Sequence, residues 1–310
     1  MLTRPRKSPR RLHRLFSAFP LAVLALAIAS SSAPAPAAPP ASSKLTVLPD
    51  VPGRVDPAAL GINNRGQVVG FNNDEDFLPH GFLYENGVYT DIEFPGALGT
   101  IAGAISDQGQ ILGTYFGEDF SPLSFLYDDG VYTNIDVPGA VQTIANGING
   151  RGQIVGIYVD ADFKSHGFVY TNGVYSTLPD VPGALGVFPY SINDRGQIVG
   201  NYYESQDSGG RSHGFIYDKG GYTFLDAPGV STGLFEGTFA NAINNAGQVV
   251  GLYNGSDGVV HSFVYAAGDY TVTDVPGAQG TFAYGINDRG QVVGIYGDDD
   301  FHAHAFVLSR

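Results

Sequence analysis

A block of about 43 residues is repeated six times in this 310-residue chain. Its clearest line is Gly-Ile-Asn-x-x-Gly-Gln-Val-Val-Gly, which occupies residues 61–70 and returns at residues 285–294. The isoleucines of this line are spaced by 43, 43, 44, 51 and 43 residues, at Ile62, Ile105, Ile148, Ile192, Ile243 and Ile286. A fixed period of this size means that one small supersecondary unit is stacked repeatedly and shares a core with its neighbours.

Each unit contains four short segments with strand character. The last copy provides three of them, at residues 281–286, 291–296 and 304–306, and residues 131–135 show the fourth. They are rich in Val, Ile, Tyr, Phe and Thr and are bounded by Gly, Asn and Asp. No window carries a helical stripe of useful length. Asn-x-x-Gly and Asn-Gly turns join the segments as tight hairpins, so four antiparallel strands per unit predict a propeller blade.

The chain ends predict how the ring closes. Residues 45–50 match a fourth strand with its following Pro-Gly, and the chain stops just after a third strand. We therefore predict an all-β, six-bladed β-propeller over residues 44–310, in which the N-terminal strand completes the last blade beside residues 304–308. Such closure leaves no sheet edge open.

Residues 1–29 have the pattern of a secretory signal peptide. Six basic residues up to Arg14 precede an apolar run at residues 15–29, which is short for a membrane span. An uncleaved signal anchor is the alternative. Residues 30–43 are rich in Ala, Pro and Ser and read as an extended linker. We expect a secreted, periplasmic or cell-surface protein, monomeric, with no membrane span in the mature chain.

Charge restricts the partners. Without residues 1–29 the chain keeps 10 basic and all 30 acidic residues, a formal charge of −20. Nucleic acids and anionic membranes require clustered Lys and Arg, so both are disfavoured. The chain has no cysteine, which excludes disulfides and thiolate metal sites.

The recurring Gly-Gln-Val-Val-Gly line followed by His-x-Phe resembles the HAF-type extracellular repeat family, named after its His-Ala-Phe triplet. The triplet is present at residues 304–306, and His80, His166 and His213 begin a His-Gly-Phe form. The resemblance implies export and a repeat fold, and it provides no catalytic residue. Equivalent positions on successive blades point away from one another, whereas the ligands of one metal ion must converge on it. We therefore interpret these histidines as structural residues within their own blades rather than as metal ligands.

The copies differ most in the loop between the second and third strands. Thirteen of the 30 acidic residues fall in these six loops, which predicts one acidic rim. A solvated charged surface explains this rim, and a cation site is the sharper alternative. The candidate Ca²⁺ ligands are Asp160, Asp162, Asp298, Asp299 and Asp300.

Two further sets of residues are candidates for ligand binding. The fourth unit is longer than the others, and its insertions place one group on the acidic rim: Glu204, Asp207, Arg211, Phe235 and Glu236. A variable column just before the repeated isoleucine should face the axial channel, where it could contact a sugar or simply meet water: Asn146, Tyr190, Asn241 and Tyr284.

These patterns predict a non-catalytic binding or interaction module whose ligand is a carbohydrate, a cation or a partner protein. No Gly-x-Ser-x-Gly or His-Glu-x-x-His motif is present, and no cofactor other than Ca²⁺ is indicated. A polysaccharide-directed hydrolase or lyase that uses rim carboxylates near the fourth blade is the alternative. A structural cell-surface role is the second alternative.

Overall fold

The computed structural model describes residues 44–204, 210–231, 236–300 and 302–309. The predicted signal peptide (1–29) and linker (30–43) lie outside these ranges, as do two candidate site residues, Asp207 and Phe235. In the described part of the chain, no helix has the length and apolar character needed to cross a bilayer.

The described residues form six separate four-stranded antiparallel sheets, which confirms the predicted propeller. Blade 1 comprises β2 (Val55–Ile62), β3 (Val68–Asn73), β4 (Pro79–Glu85) and β5 (Val88–Ile92). Blade 2 comprises β6 (Gly99–Ile105), β7 (Ile111–Phe116), β8 (Pro122–Asp128) and β9 (Val131–Ile135). Blade 3 comprises β10 (Gln142–Ile148), β11 (Ile154–Val159), β12 (Ser165–Thr171) and β13 (Val174–Thr177). Blade 4 comprises β14 (Ala184–Ile192), β15 (Ile198–Glu204), β16 (Ser212–Asp218) and β17 (Gly221–Leu225). Blade 5 comprises β18 (Thr238–Ile243), β19 (Val249–Asn254), β20 (Val260–Ala266) and β21 (Asp269–Val272). Blade 6 comprises β22 (Gly280–Ile286), β23 (Val292–Gly297), β24 (Ala303–Ser309) and β1 (Lys44–Val47).

The two ends of the chain meet in blade 6, as predicted. Strand β1 pairs antiparallel with β24, and Leu45 lies opposite Leu308. Just beyond the end of β1, the backbone N–H of Leu48 donates to the carbonyl of Ala305 at 2.9 Å. Leu48 is only 3% exposed and packs in a core cluster with Ala59 and residues of both chain ends. The N-terminal strand is therefore part of the core as well as of the sheet.

The constant Gly and Phe of the repeat are explained by close packing inside each blade. Gly70 of β3 lies opposite Phe82 of β4, and the same pairing recurs in every blade. A Cβ on Gly70 would overlap the backbone oxygen of Ala58. The six third-strand phenylalanines are at most 1% exposed and fill the space between neighbouring blades: Phe82, Phe125, Phe168, Phe215, Phe263 and Phe306.

The loops divide between two faces. The crossover face carries the loops between second and third strands, such as residues 74–78, and the connections to the next blade, such as residues 93–98. The hairpin face carries the Asn-x-x-Gly turns, such as residues 63–67, and the two-residue turns, such as residues 86–87.

A ring of hydrogen bonds joins the blades on the hairpin face. Asn287 Nδ2 donates to the carbonyl of Asn63 in the next blade at 3.0 Å, and Asn63 Nδ2 donates onward to the carbonyl of Ser106 at 3.1 Å. Asn149, Asn193 and Asn244 continue the same pattern. Blade 2 has Ser106 at this position, and its hydroxyl instead accepts the N–H of Gln110 at 3.2 Å. The ring therefore lacks its link from blade 2 to blade 3.

Candidate functional site

In blades 1, 3 and 6, the acidic loop of the crossover face is folded by its first residue, an aspartate. In blade 1, Asp74 Oδ1 accepts the backbone N–H groups of Asp76 and Leu78, both at 2.9 Å. The N–H of Phe77 donates to the carbonyl of Asp74 at 3.0 Å. A carboxylate that accepts several backbone N–H groups holds its loop in a single turn. The tips of these loops are therefore presented in a fixed conformation.

The repeated histidine lies beside this loop and contacts carboxylates of its own blade. His80 Nε2 is 3.3 Å from Asp74 Oδ2, and its Nδ1 is 2.7 Å from Glu93 Oε1. Three other blades have the same arrangement of one histidine and two carboxylates: His166 with Asp160 and Asp180, His213 with Glu204 and Asp226, and His261 with Asp257 and Asp274. In blade 6, His304 contacts Asp298. Blade 2 has Leu123 at this position and lacks the cluster. The structural interpretation of the histidines agrees with this geometry, with carboxylates as partners.

Four of the five clusters contain a second carboxylate that the sequence analysis does not predict. Glu93, Asp180, Asp226 and Asp274 lie one to three residues after the fourth strand and precede Pro-Gly by two residues. An acidic residue recurs at this spacing in all six copies, so the signal was present in the sequence. The role of this recurring acidic residue becomes clear only in the structure, where the fourth strand ends beside the start of the third and so places the carboxylate next to the histidine.

The clusters shift the pKa values of their members. Hydrogen bonding to Asp274 raises the pKa of His261 above its ordinary value, although its burial opposes this. Carboxylate oxygens only accept, so the two contacts of the His261 ring favour its protonated form, in which both nitrogens donate. The His304 ring and the N–H of His302 lower the pKa of Asp298 to about 2. Asp298 therefore stays ionised in mildly acidic solution.

The candidate Ca²⁺ ligands are distributed over blades 3 and 6. Asp160 and Asp298 each accept two backbone N–H groups through Oδ1 and contact a histidine through Oδ2. Asp299 accepts from Gln279 Nε2 at 2.9 Å, whereas Asp162 and Asp300 are exposed at loop tips. Across the described ranges, no group of three or more His, Asp or Glu is arranged to hold a metal ion. The Ca²⁺ site stays a prediction.

The structure brings together three of the five candidate residues of the fourth blade. The N–H of Glu204 donates to the carbonyl of Arg211 at 3.0 Å, and the next residue, Ser212, donates its N–H to the carbonyl of Glu236 at 2.9 Å. Glu204 Oε1 lies 3.2 Å from His213 Nε2. The Glu236 carboxylate accepts the hydroxyl of Ser231. Both glutamates therefore already have polar partners within the fold.

The variable column lies at a β-bulge in every innermost strand. The pairing of β10 with β11 shifts register between Ala145 and Gly147, which leaves Asn146 unpaired, and the other five blades do the same. A bulge re-aims the side chain of its extra residue. Asn146 Nδ2 donates to the carbonyl of Pro189 in the next blade at 2.9 Å. Asn241 Nδ2 likewise donates to the carbonyl of Ala283 at 2.8 Å.

The two tyrosines of this column are enclosed by protein. Burial raises the pKa of Tyr284, and it raises that of Tyr190 well above the ordinary value, with a further contribution from Tyr203. Both side chains keep partial solvent exposure. Their ligand role stays a prediction.

Exposed phenylalanines at the tips of three acidic loops were also missed. Phe77, Phe120 and Phe163 are 70%, 45% and 79% exposed. Their φ angles are +60°, +62° and +61°. Gly258 occupies the same loop position in blade 5 with φ +83°. The sequence showed an Asp-Phe pair in these loops but gave no indication that the ring faces solvent.

Comparison with known proteins identifies similar folds only. No family model matches the chain, and no curated protein matches it, so the HAF-type resemblance stays a prediction. Solved propellers are similar at low identity. The putative TolB from Agrobacterium tumefaciens is 13% identical with a TM-score of 0.56, covering 86% of this chain and 98% of that chain. AofleA from Arthrobotrys oligospora is 12% identical with a TM-score of 0.52, covering 87% and 86%. A mutant of the Aleuria aurantia lectin, in complex with alpha-methyl-L-fucoside, is 13% identical with a TM-score of 0.50, covering 84% and 95%.

Proposed function

We propose that this protein is an exported, non-catalytic binding module that recognises a glycan on its crossover face. The observation that carries the proposal is a difference between the two faces in how their side chains are used. On the hairpin face the repeated side chains are used in building the ring, as Asn63 and Asn287 show. On the crossover face, Glu75, Asp76 and Asp162 are exposed at the tips of loops that differ between copies.

Carboxylates at such positions suit sugar hydroxyls. An ionised carboxylate accepts through two oxygens, and hydrogen bonds to charged groups are stronger than neutral ones. The loops are held in place by internal hydrogen bonds before any ligand binds, which lowers the entropic cost of binding. Among the propellers of similar fold, the Aleuria aurantia lectin was solved with alpha-methyl-L-fucoside. That likeness concerns fold, and it makes sugars the first ligands to test.

The experiment is a glycan array probed with the mature chain, residues 30–310, followed by product analysis of every glycan that binds. We expect retention of at least one glycan class with no product. The double variant Glu75→Gln/Asp76→Asn should weaken retention. The control Asp129→Asn/Asp269→Asn removes the same charge from the hairpin face and should retain binding. Failure to retain any glycan class would contradict the proposal.

The same assay tests the hydrolase or lyase alternative. Release of oligosaccharide products that stops on Glu204→Gln or Glu236→Gln would establish catalysis at the fourth blade and would replace the binding-module proposal. Analytical ultracentrifugation of the mature chain tests the further proposal that it is a monomer.

A further inference from the structure

The three exposed phenylalanines contribute little to the stability of the fold. A non-glycine residue at positive φ is disfavoured, and a bulky one especially so. Blade 5 satisfies the same turn with Gly258, so the loop itself does not need an aromatic ring. The rings of Phe77 and Phe163 are mostly in solvent, so they gain little from burial. Aromatic rings held outward at a sterically unfavourable position, in successive blades, point to binding.

The charge around each ring restricts what can bind. Glu75 and Asp76 precede Phe77, Glu118 and Asp119 precede Phe120, and all four are exposed. Asp162 precedes Phe163, where Lys164 is the single basic residue of the three loops. The face of an aromatic ring attracts cations, and neighbouring carboxylates reinforce this attraction. The same carboxylates repel uronate and sulfated sugars.

The repetition of the loops restricts the ligand further. Each loop closes with the same backbone hydrogen bond, from Phe77 N–H to Asp74, from Phe120 N–H to Gly117 and from Phe163 N–H to Asp160. Three neighbouring blades thus present the same chemistry at regular intervals on one face. A polymer of identical units can occupy several such positions at once, whereas a folded protein rarely repeats one group in this way.

We propose that Phe77, Phe120 and Phe163 are the stacking platforms of three equivalent subsites for a cationic glycan, a polymer of amino sugars that carry free ammonium groups. Each ring stacks against one sugar so that its face attracts the ammonium group, and the preceding carboxylates pair with the same group. This inference rests on the proposed glycan-binding function and specifies its ligand.

The test measures binding of the mature chain to β-1,4-linked glucosamine hexamers by calorimetry. Phe163→Gly should weaken binding about threefold, the size of one exposed cation–π contact. The triple variant Phe77→Gly/Phe120→Gly/Phe163→Gly should weaken it about thirtyfold, since the subsites act together. Glycine suits the positive φ, so the thermal midpoint should not fall, and a loss of binding would not reflect unfolding. Phe224→Asn is the matched control, because Phe224 is exposed on β17 and blade 2 carries Asn134 in the same register.

Three other probes separate the possible outcomes. Equal binding of the N-acetylated hexamer would overturn the requirement for an ammonium group, and preferred binding of oligogalacturonate would overturn the charge argument. Unchanged affinity in the triple variant would overturn the subsites while leaving the proposed function intact. If oligolysine binds and no glycan of any class does, both the inference and the proposed function are wrong.

Discussion

At the scale of single residues, the asparagine that opens each hairpin-face turn combines two tasks. In blade 6, Asn287 Oδ1 accepts the backbone N–H groups of Arg289 and Gln291, which fixes the turn. Its Nδ2 donates to the carbonyl of Asn63 in the neighbouring blade and to Gln291 Oε1. The same side chain therefore closes a local turn and joins two blades. Ser106 of blade 2 performs only the local task, because a hydroxyl is too short to reach across.

We predict that Ser106→Asn stabilises the protein by completing the ring. The new amide should donate to the carbonyl of Asn149 and add about 1 kcal/mol to the free energy of unfolding, as one buried hydrogen bond does. Urea unfolding monitored by tyrosine fluorescence measures the change. Ser106→Ala is the control and should destabilise the protein, since it leaves the N–H of Gln110 without its acceptor. A variant with asparagine that unfolds at the same or lower urea concentration would contradict the prediction.

At the scale of elements, β1 substitutes for a fourth strand of different composition. The other five blades pair a third-strand tyrosine with a fourth-strand tyrosine, as Tyr84 pairs with Tyr89. The closing blade pairs Leu308 with Leu45 instead. The two leucines can provide the cross-strand packing, but they lack the hydroxyl groups of the tyrosines. The closing strand therefore depends on backbone pairing and on the burial of Leu48.

We predict that a chain starting at Pro49 is much less stable than one starting at Lys44. It would lose the β1–β24 ladder and the burial of Leu48, and each fully buried leucine contributes about 1.5–3 kcal/mol. We expect the free energy of unfolding to fall by at least about 3 kcal/mol, measured by thermal and urea unfolding. Val47→Thr in the longer chain is the control, since Val47 is 42% exposed and its backbone pairing is retained. Equal stability of the two chains would show that the ring does not depend on this strand.

At the scale of the whole molecule, fourth-strand tyrosines connect each blade to the one before it. The hydroxyl of Tyr89 donates to the carbonyl of Pro49 at 2.9 Å, and that of Tyr222 donates to the carbonyl of Pro179 at 2.6 Å. Tyr132, Tyr175 and Tyr270 instead contact backbone groups of Glu93, Asp136 and Asp226 that lower their pKa, as a backbone N–H does when it donates to a phenol oxygen. Burial raises the pKa of Tyr89 and of Tyr270 to about 12. The bonds that Tyr89 and Tyr222 donate to carbonyls persist only while these phenols stay protonated.

We predict that stability declines as pH rises from about 10 to about 12. An unfolded tyrosine ionises near pH 10, whereas Tyr89 and Tyr270 keep their protons to about pH 12 in the folded state. Over this interval the unfolded chain binds fewer protons than the folded one, so raising the pH favours unfolding. Urea midpoints measured at several pH values should fall, and the fall should be shallower in Tyr89→Phe/Tyr270→Phe. In the control Tyr84→Phe/Tyr265→Phe, which alters the cross-strand partners, the pH dependence should remain.

The fold could be predicted further than the site because its signals are local. The period gives the blade, and the Asn-x-x-Gly and Asn-Gly turns give the hairpins, each within a few residues. The contacts of the site are not local. His80 contacts Glu93 thirteen residues away, and this depends on where two strands end. The conformation of Phe77 depends on Asp74 and on a turn whose geometry the sequence does not show.

Periodicity, turn chemistry and charge are properties of the chain, so they predict the six blades, the strand that closes the ring and the acidic character of one rim without a structure. Which side chains are already engaged in contacts within the fold follows from the three-dimensional packing and is not visible in the sequence. The packing places Asn146 and Asn241 in bonds between blades, Glu204 beside His213, and the ring of Phe163 in solvent. The reason is physical: whether a side chain is available to a ligand depends on its neighbours in space, and packing sets those neighbours.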